Sequence, residues 1–511
     1  MAKKMIAVID VGSLTARLKI FEINSKGYPK TVETVRKFTT IGAKSVEGII
    51  PAEQVNELCG CLVMFRQKCN EYKVDHVICV ATNVFRDAGN KDVVLEQIRA
   101  RTGFKIEILD NSMECYYQNL AVRESYPDFG KMIAEGTMLL DIGSGSMQAT
   151  VYDKSEFIFS QNMVLGSLRI SGLLSTLQNR TTHYGDVLEE FIAQDLNDYH
   201  AVEPKGITYK HLIAFSGEMS FIRMLAGFDP FAECTLTKEE FLKVYNYLLK
   251  TRPSDLTLNN SIPAHVAPLL LPVSMIIRDM LEYTGLDQIY LPHASLSDGV
   301  MFSYCHEKFG LKLIMNPTQD LVSGARNLAK RYRCDKRHIE FVEKAALDIF
   351  DCCQKMAGLE GRDRLLLQLA SILHEIGKFV KAKGHNEAAF SLIEYTDLIG
   401  LNSDELDTIA YVVRLYPQDN PYDDYNYRNL PAKKKVTISK LTSILRIADS
   451  LDASHTEKIR NMTVTLHPDR LHISCEAKED MSFEEWAFEH RCDLFKDVMG
   501  IEARLRVRRQ V

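Results

Sequence analysis

The sequence predicts an α/β protein with two related lobes, followed by a helical domain and a small α+β module. Short β-branched strands alternate with amphipathic helices through the first half of the chain, which is the pattern of an α/β fold. A strand ending in Asp-x-Gly-Ser occurs twice, at Asp10–Ser13 and Asp141–Ser144. The apolar spacing becomes helical after about Gly310, so the second half belongs to a different kind of domain.

The strands of the two lobes end in small or hydroxyl residues that are followed by turns. Ligands of such sheets bind beyond the carboxyl ends of the strands. We therefore expect these turns to meet in one cleft. The strands are predicted at Met5–Val11, Arg17–Ile23, Val77–Ala81, Met138–Ile142, Gln148–Tyr152 and His211–Phe215.

The second half is predicted to be helical from Gln319 to about Leu401 and again over Val436–Leu451, with the polar tract Leu415–Lys435 between. The tail is predicted to form a small α+β module that packs on the helical domain, because so short a unit buries little by itself. Its strands are expected at Met462–His467, Leu471–Ala477 and Glu502–Val507 and its helix at Ser482–Met499. The expected domains are residues 1–123, 124–309, 310–460 and 461–511.

Length and charge limit the possible functions. A chain of 511 residues is too long for one hydrophobic core. The net charge of −6 provides no basic field, so we expect no nucleic-acid partner, and a polyanionic substrate would need a local cationic groove. The 12 cysteines form no CxxC pair, which favours reduced thiols in the cytoplasm. No apolar run reaches membrane-spanning length.

The two Asp-x-Gly-Ser turns have the chemistry of a phosphate site. Glycine lets the backbone approach an anion closely, and free amides and serine hydroxyls donate to phosphate oxygens. An adjacent aspartate is a suitable ligand for Mg²⁺, which prefers oxygen. The expected phosphate-binding residues of these turns are Gly12, Ser13, Thr15, Gly143, Ser144, Gly145 and Ser146.

Six short motifs follow one another along the chain, and their order matters as much as their residues. They are Ala7–Ser13, Ala81–Asn90, Ile108–Val122, Asp141–Ser146, Ser216-Gly217 and Leu296–Val300. Together they resemble the exopolyphosphatase/guanosine pentaphosphatase (Ppx/GppA) family, and the Ala81–Asn90 segment matches its pattern A-T-x-x-x-R-x-A-x-N. The resemblance implies two actin-like (ASKHA, ribonuclease H-like) lobes and covers essentially the whole chain.

The resemblance also implies roles. Glu114 aligns with the proposed general base, and Arg86 would clamp the terminal phosphate. Asp141, with Asp10 nearby, would hold Mg²⁺. Ser216 and Gly217 would close the second lobe on phosphate. The implied activity is release of terminal phosphate from polyphosphate or guanosine pentaphosphate by a cytoplasmic homodimer, without nucleic acid or membrane.

The chain departs from the family pattern at several positions. Leu14 replaces an asparagine of the first loop, and Met113 replaces the first glutamate of G-x-E-E-A. Gln148 replaces the glutamate that ends the second loop, so magnesium affinity should fall. Two alternatives stay open: a non-catalytic or weakly active regulator that binds a phosphorylated ligand, and an actin-fold ATPase or kinase, although no adenosine-specific motif is present.

The helical half contains His338, His374-Glu375 and Asp449. This order resembles the His…His-Asp…Asp arrangement of HD-domain phosphohydrolases, with Glu375 in place of the metal-bridging aspartate. The extra methylene of glutamate displaces its oxygens, which metal geometry tolerates poorly. We therefore expect an HD-like domain with a vestigial, metal-free site.

A basic run lies in the polar tract of the helical half and consists of Arg428, Lys433, Lys434 and Lys435. One interpretation is a solvated loop. The other is a cationic path for long polyphosphate, because local positive potential increases the capture of anions.

Overall fold

The computed structural model describes residues 4–39, 41, 48–126, 128–178, 180–181, 183–418, 422 and 424–509, without the side chains of 175–178 and 509. The chain forms two compact units, Met1–Asn316 and Pro317–Val511.

The first lobe of the first unit is built on a sheet with the strand order β3-β2-β1-β4-β5. Strand β1 pairs antiparallel with β2 and parallel with β4. The elements are β1 (Lys4–Val11), β2 (Thr15–Ile23), β3 (Pro29–Phe38), α1 (Ala52–Glu71), β4 (His76–Ala81), α2 (Asn83–Asp87), α3 (Lys91–Thr102), β5 (Glu107–Ile108), α4 (Asn111–Ser125) and α5 (Phe129–Met132).

The second lobe has a sheet with the order β10-β11-β9-β6-β7-β8. Its elements are β6 (Gly136–Ile142), β7 (Met147–Asp153), β8 (Glu156–Met163), α6 (Ser167–Gln178), α7 (Tyr184–Val202), β9 (Tyr209–Ser216), α8 (Met219–Leu225), β10 (Cys234–Thr237), α9 (Lys238–Lys250), α10 (Pro253–Asn260), α11 (Ala267–Thr284), β11 (Gln288–Leu291) and α12 (Leu296–Phe309). The six strands predicted for the lobes are confirmed to within a few residues at each end.

The two sheets repeat one plan. The first strand of each lobe, β1 or β6, pairs antiparallel with the next strand, β2 or β7. It also pairs parallel with a later strand, β4 or β9. In the first lobe the amide of Gly12 donates to the carbonyl of Thr15 at 2.9 Å, and Gly143 donates to Ser146 at 2.9 Å in the second. The duplicated turn that is visible in the sequence is therefore a duplicated structure.

Helix α12 packs on the first lobe, although residues 124–309 were expected to form the second lobe. Its apolar face joins Ile6 and Val8 of β1 in one core, and its Gly299 lies against α4. A Cβ at Gly299 would lie 1.7 Å from the carbonyl oxygen of Tyr117. Only glycine lets the two helix backbones approach this closely, so α12 helps to position α4.

The second unit is helical with one three-stranded sheet, β12-β13-β14. One continuous hydrophobic core includes both the helices and the tail. The structure therefore joins the expected domains 310–460 and 461–511 in one unit, because the short tail buries its apolar face on the helices. The elements are α13 (Pro317–Arg331), α14 (Lys336–Ala357), α15 (Gly361–Leu373), a 3₁₀ turn (Ile376–Phe379), α16 (His385–Glu394), α17 (Ser403–Leu415), α18 (Tyr425–Arg428), α19 (Ala432–Ser450), β12 (Ile459–Leu466), β13 (Arg470–Ala477), α20 (Ser482–Arg491), α21 (Asp493–Met499) and β14 (Glu502–Arg509).

Candidate active site

The two glycine-serine turns face each other across a cleft in the first unit. The hydroxyl oxygens of Ser13 and Ser144 are 3.1 Å apart, and the cleft has a volume of about 190 Å³. Because each turn ends a strand of a different lobe, the cleft lies where the carboxyl ends of both sheets meet. The predicted residues that line it are Asp10, Gly12, Ser13, Thr15, Glu114, Gly143, Ser144, Ser216 and Gly217.

Four predicted residues, Arg86, Asp141, Gly145 and Ser146, are not among the residues that line this cleft. Gly145 packs against Asn83 instead, and a Cβ there would lie 2.0 Å from the Asn83 amide nitrogen. Gly145 therefore lies against the side chain at the start of α2 and not at the cleft wall.

Glu114 reaches the cleft from the first turn of α4. Asp110 caps this helix by accepting a hydrogen bond from the Met113 amide at 2.9 Å, which fixes the helix start. Arg86 donates to Glu114 Oε2 at 2.7 Å and to the Leu109 carbonyl at 2.7 Å. Arg86 therefore fixes the position of the Glu114 carboxylate without itself lining the cleft.

Electrostatics distinguish Glu114 from a surface glutamate. Burial raises the pKa of its carboxyl above the ordinary value, although the Arg86 guanidinium opposes the shift. A general base is most effective when its pKa is raised towards the working pH. The position, the cleft exposure and the raised pKa are consistent with the role implied by the resemblance.

Asp10 and Asp141 are both buried next to Glu114. Ser297 donates to Asp10 Oδ2 at 2.6 Å, and Arg17 lies 3.9 Å from the same oxygen. Burial, with the nearby charge of Glu114, holds the pKa of Asp141 well above its ordinary value. The carboxyl groups of Asp10 and Asp141 and the nearby serine hydroxyls offer only oxygen atoms, which are the ligands that Mg²⁺ prefers. A divalent cation beside them would offset the repulsion between the carboxylates.

Two arginines that the sequence did not single out also line the cleft, Arg17 on β2 and Arg36 on β3. Burial lowers the pKa of Arg36, and the charge of Arg17 lowers it further. The Nε of Arg36 has no hydrogen-bond partner among the described residues. Two adjacent guanidinium groups give this part of the cleft a local positive charge, and guanidinium groups are suited to contacts with phosphate oxygens. Arg17 and Arg36 are cross-strand partners on β2 and β3. A pairing of these two strands in the sequence would have indicated that the two arginines lie side by side.

Glu218, which directly follows the Ser216-Gly217 motif in the chain, is a buried residue that also lines the cleft. The sequence did not single it out. It accepts a hydrogen bond from Ser167 at 2.8 Å, and its amide donates to the Ser216 hydroxyl at 3.1 Å. Burial raises the pKa of its carboxyl. Glu218 therefore holds Ser216 and the start of α6 together.

Gln148, the residue that replaces a family glutamate, is buried beside the site. It is the cross-strand partner of Asp141, and its amide donates to the Ser160 hydroxyl at 2.6 Å. It is not among the residues that line the cleft.

In the second unit, the structure brings together the four residues of the expected HD-like site. His338 lies on α14, His374 follows α15 directly, and Asp449 lies on α19; all three are buried. Burial would lower the pKa of His338, but hydrogen bonds with Asp449 and Asp452 outweigh it and raise the pKa to about 9.

The basic run is partly neutralised. Lys434 forms ion pairs with Asp404 at 2.9 Å and Asp407 at 3.1 Å, and Lys435 donates to the Arg428 carbonyl. Of the expected polar tract, residues 419–421 and 423 lie outside the described residues. Whether the run guides polyphosphate stays a prediction.

Within the residues that the structure describes, no helix combines the length and the apolar character needed to cross a bilayer.

Curated relatives match most of the chain. A guanosine-5'-triphosphate,3'-diphosphate pyrophosphatase of Photobacterium profundum is 21% identical over 454 residues, which are 86% of this chain and 84% of the relative. A protein of the same name from Aeromonas hydrophila is 23% identical over 460 residues, covering 86% of each chain.

Solved structures match the fold over a shorter length. The Ppx/GppA family member of Aquifex aeolicus has a TM-score of 0.51 at 20% identity, covering 60% of this chain and 99% of its own. An exopolyphosphatase from Cytophaga hutchinsonii has the same TM-score, identity and coverage. These likenesses support the α/β fold.

Family models account for both units. The model described as the Ppx/GppA phosphatase family matches residues 21–308, and the model of Ppx/GppA phosphatase domain III matches residues 322–496. The first alone covers more than half of the chain, and the two matches fall on either side of the boundary between the units. The chain therefore belongs to the Ppx/GppA phosphatase family and is a phosphohydrolase.

Proposed function

We propose that the chain releases terminal phosphate from inorganic polyphosphate, guanosine pentaphosphate or both, by attack of water in the cleft of the first unit. The observation that carries the proposal is the position of Glu114, a half-buried carboxylate at the wall of a cleft that is lined by two opposed glycine-serine loops and two arginines. Both substrates end in the same phosphoanhydride group. The names of the relatives are consistent with either.

Each group has a defined task. The amides and hydroxyls of the two loops receive the terminal phosphate. Arg17 and Arg36 supply the cationic contacts that the family resemblance implies for Arg86, because they line the cleft and Arg86 does not. Arg86 is a positioning residue that holds Glu114 Oε2.

Glu114 orients the attacking water and accepts its proton as the water oxygen bonds to the terminal phosphorus. The bridging P–O bond of the anhydride breaks in the same step, and the remaining phosphate chain leaves as an anion. In a loose phosphoryl-transfer transition state, orientation of the water contributes more than its full deprotonation. Asp10 and Asp141 would hold Mg²⁺, which when bound neutralises charge on the phosphate oxygens.

The test is phosphate release from long-chain polyphosphate and from guanosine pentaphosphate, each with and without Mg²⁺. Magnesium-dependent release from at least one substrate supports the proposal. Tight binding of both substrates without release would instead support the alternative of a phospho-ligand-binding regulator, which the neutral Gln148 beside Asp141 favours.

A further inference from the structure

The second unit contains a cluster of nitrogen and oxygen atoms that converge on one point. The Nε2 atoms of His338 and His374 are 3.3 Å apart. Asp449 Oδ1 lies 3.3 Å from the first and 3.6 Å from the second. These three atoms belong to buried side chains from three different helical segments, so their convergence is a property of the fold and not of one local turn.

The partners of the two imidazoles leave the converging nitrogens available. His338 Nδ1 is 2.8 Å from Asp452 Oδ2, and His374 Nδ1 is 2.7 Å from the carbonyl of Ser371. In the neutral ring that binds a metal, an Nδ1–H that donates to a carboxylate or carbonyl leaves the lone pair on Nε2, and this is the arrangement that orients metal-bound histidines. Arg491 pairs with Asp449 Oδ2, which leaves Oδ1 directed at the two rings.

The distances between these atoms match those of ligands around one ion. Bond lengths of about 2.1 Å and angles between about 90° and 109° separate adjacent ligand atoms by about 3.0 to 3.4 Å. The observed separations of 3.3, 3.3 and 3.6 Å lie in or next to this range.

Glu375 remains part of the cluster despite its extra methylene. Its Oε1 is 3.7 Å from His338 Nε2 and 4.0 Å from His374 Nε2. The helix α15 ends at Leu373, so the backbone turns before Glu375 and its carboxylate still approaches both imidazoles. Lys378, which is 40% exposed, pairs with the same oxygen.

An ion could enter on the side of His455. The His455 ring stacks on His338 at 3.7 Å between centroids, its Nε2 is 3.5 Å from Glu375 Oε1, and its side chain is 30% exposed. The cluster is therefore not sealed from solvent.

We propose that His338, His374 and Asp449, with Glu375 as a fourth group, form a binding site for one divalent first-row transition-metal ion. Imidazole nitrogens with carboxylate oxygens suit such ions, whereas the all-oxygen cleft of the first unit suits Mg²⁺. The site does not depend on the proposed hydrolytic function, so the two proposals can fail separately.

The experiment uses the full chain, stripped with a chelator and titrated with Co²⁺ in excess Mg²⁺, so that the carboxyl groups of the cleft are occupied. Equilibrium dialysis measures the number of ions bound, and visible absorption reports nitrogen ligands. We expect one Co²⁺ per chain and a rise in melting temperature that grows with Co²⁺ concentration. No retained Co²⁺ in excess Mg²⁺ would overturn the proposal.

Substitutions locate the ion. His374→Asn should lower the Co²⁺ affinity at least about 100-fold, and Asp452→Asn, which removes the negative charge that His338 Nδ1 faces, about 10- to 100-fold. The matched controls are His490→Asn and Asp469→Asn, which are in the same unit outside the cluster and should bind like the wild type. If His374→Asn does not fold, Asp452→Asn decides. Wild-type affinity in the folded variants would refute the site.

Discussion

Replacing Glu114 with glutamine tests the proposed mechanism most directly. The amide keeps the size of the side chain, and its oxygen can still accept the hydrogen bond that Arg86 now donates to Glu114 Oε2 at 2.7 Å. The helix start does not change, because the cap from Asp110 to the Met113 amide involves neither side chain. The variant therefore removes one proton acceptor from the cleft and little else.

The expected magnitudes are very different for activity and stability. Loss of general-base assistance lowers the rate about 100- to 10,000-fold, which corresponds to about 3 to 5 kcal/mol in the barrier. The free energy of unfolding should change by no more than about 1 kcal/mol: the Glu114 and Arg86 side chains are 20% and 17% exposed, and the lost ion pair is offset by a neutral group that is easier to bury.

The assay is steady-state phosphate release combined with thermal unfolding and substrate binding. Glu96→Gln is the matched control, because Glu96 also pairs with an arginine, Arg99, at 3.3 Å, but on an exposed helix. We expect wild-type turnover in the control and bound, unhydrolysed substrate in Glu114→Gln. Turnover within a few-fold of wild type in Glu114→Gln would refute its role as the base.

Three other predictions concern charges. Arg36→Gln should lower kcat/KM about 10- to 100-fold, because it removes a charged donor to phosphate; an unchanged value would exclude Arg36 from the substrate contact. Gln148→Glu places a carboxylate on the residue directly opposite Asp141, and the Cβ atoms of such cross-strand pairs lie about 5 Å apart. It should lower both the melting temperature in chelator and the Mg²⁺ concentration for half-maximal rate; an unchanged Mg²⁺ requirement would separate Gln148 from the metal site. Replacing Lys433 and Lys435 with alanine should slow hydrolysis of long polyphosphate more than of short chains, and equal losses for both lengths would contradict a cationic path.

The turns of the cleft could be predicted because their chemistry is local. Glycine and serine after a buried strand determine where the chain turns, and the repeated Asp-x-Gly-Ser pattern indicated two such turns. The structure places Ser13 and Ser144 face to face. The family resemblance, which the two family models show, directed attention to Glu114 among many helical glutamates.

The packing partners could not be predicted in the same way. Ser297 donates to Asp10 from 287 positions away, and helix α12 crosses α4 at Gly299. Neither contact leaves a periodic signal, because each depends on how two distant elements cross. The same reason explains why the boundary at residue 309 assigned α12 to the other lobe.

By itself, the sequence determined the alternation of strands and helices, the duplicated phosphate turns and the residue types that are available for chemistry. Only the tertiary structure decided which charges meet. It brought Arg17 and Arg36 to the cleft, turned Arg86 towards Glu114, and directed the Nε2 atoms of His338 and His374 at one point. The reason is physical: strand and turn preferences act over a few residues, whereas the direction of a charged side chain depends on the burial and hydrogen bonding that distant segments impose.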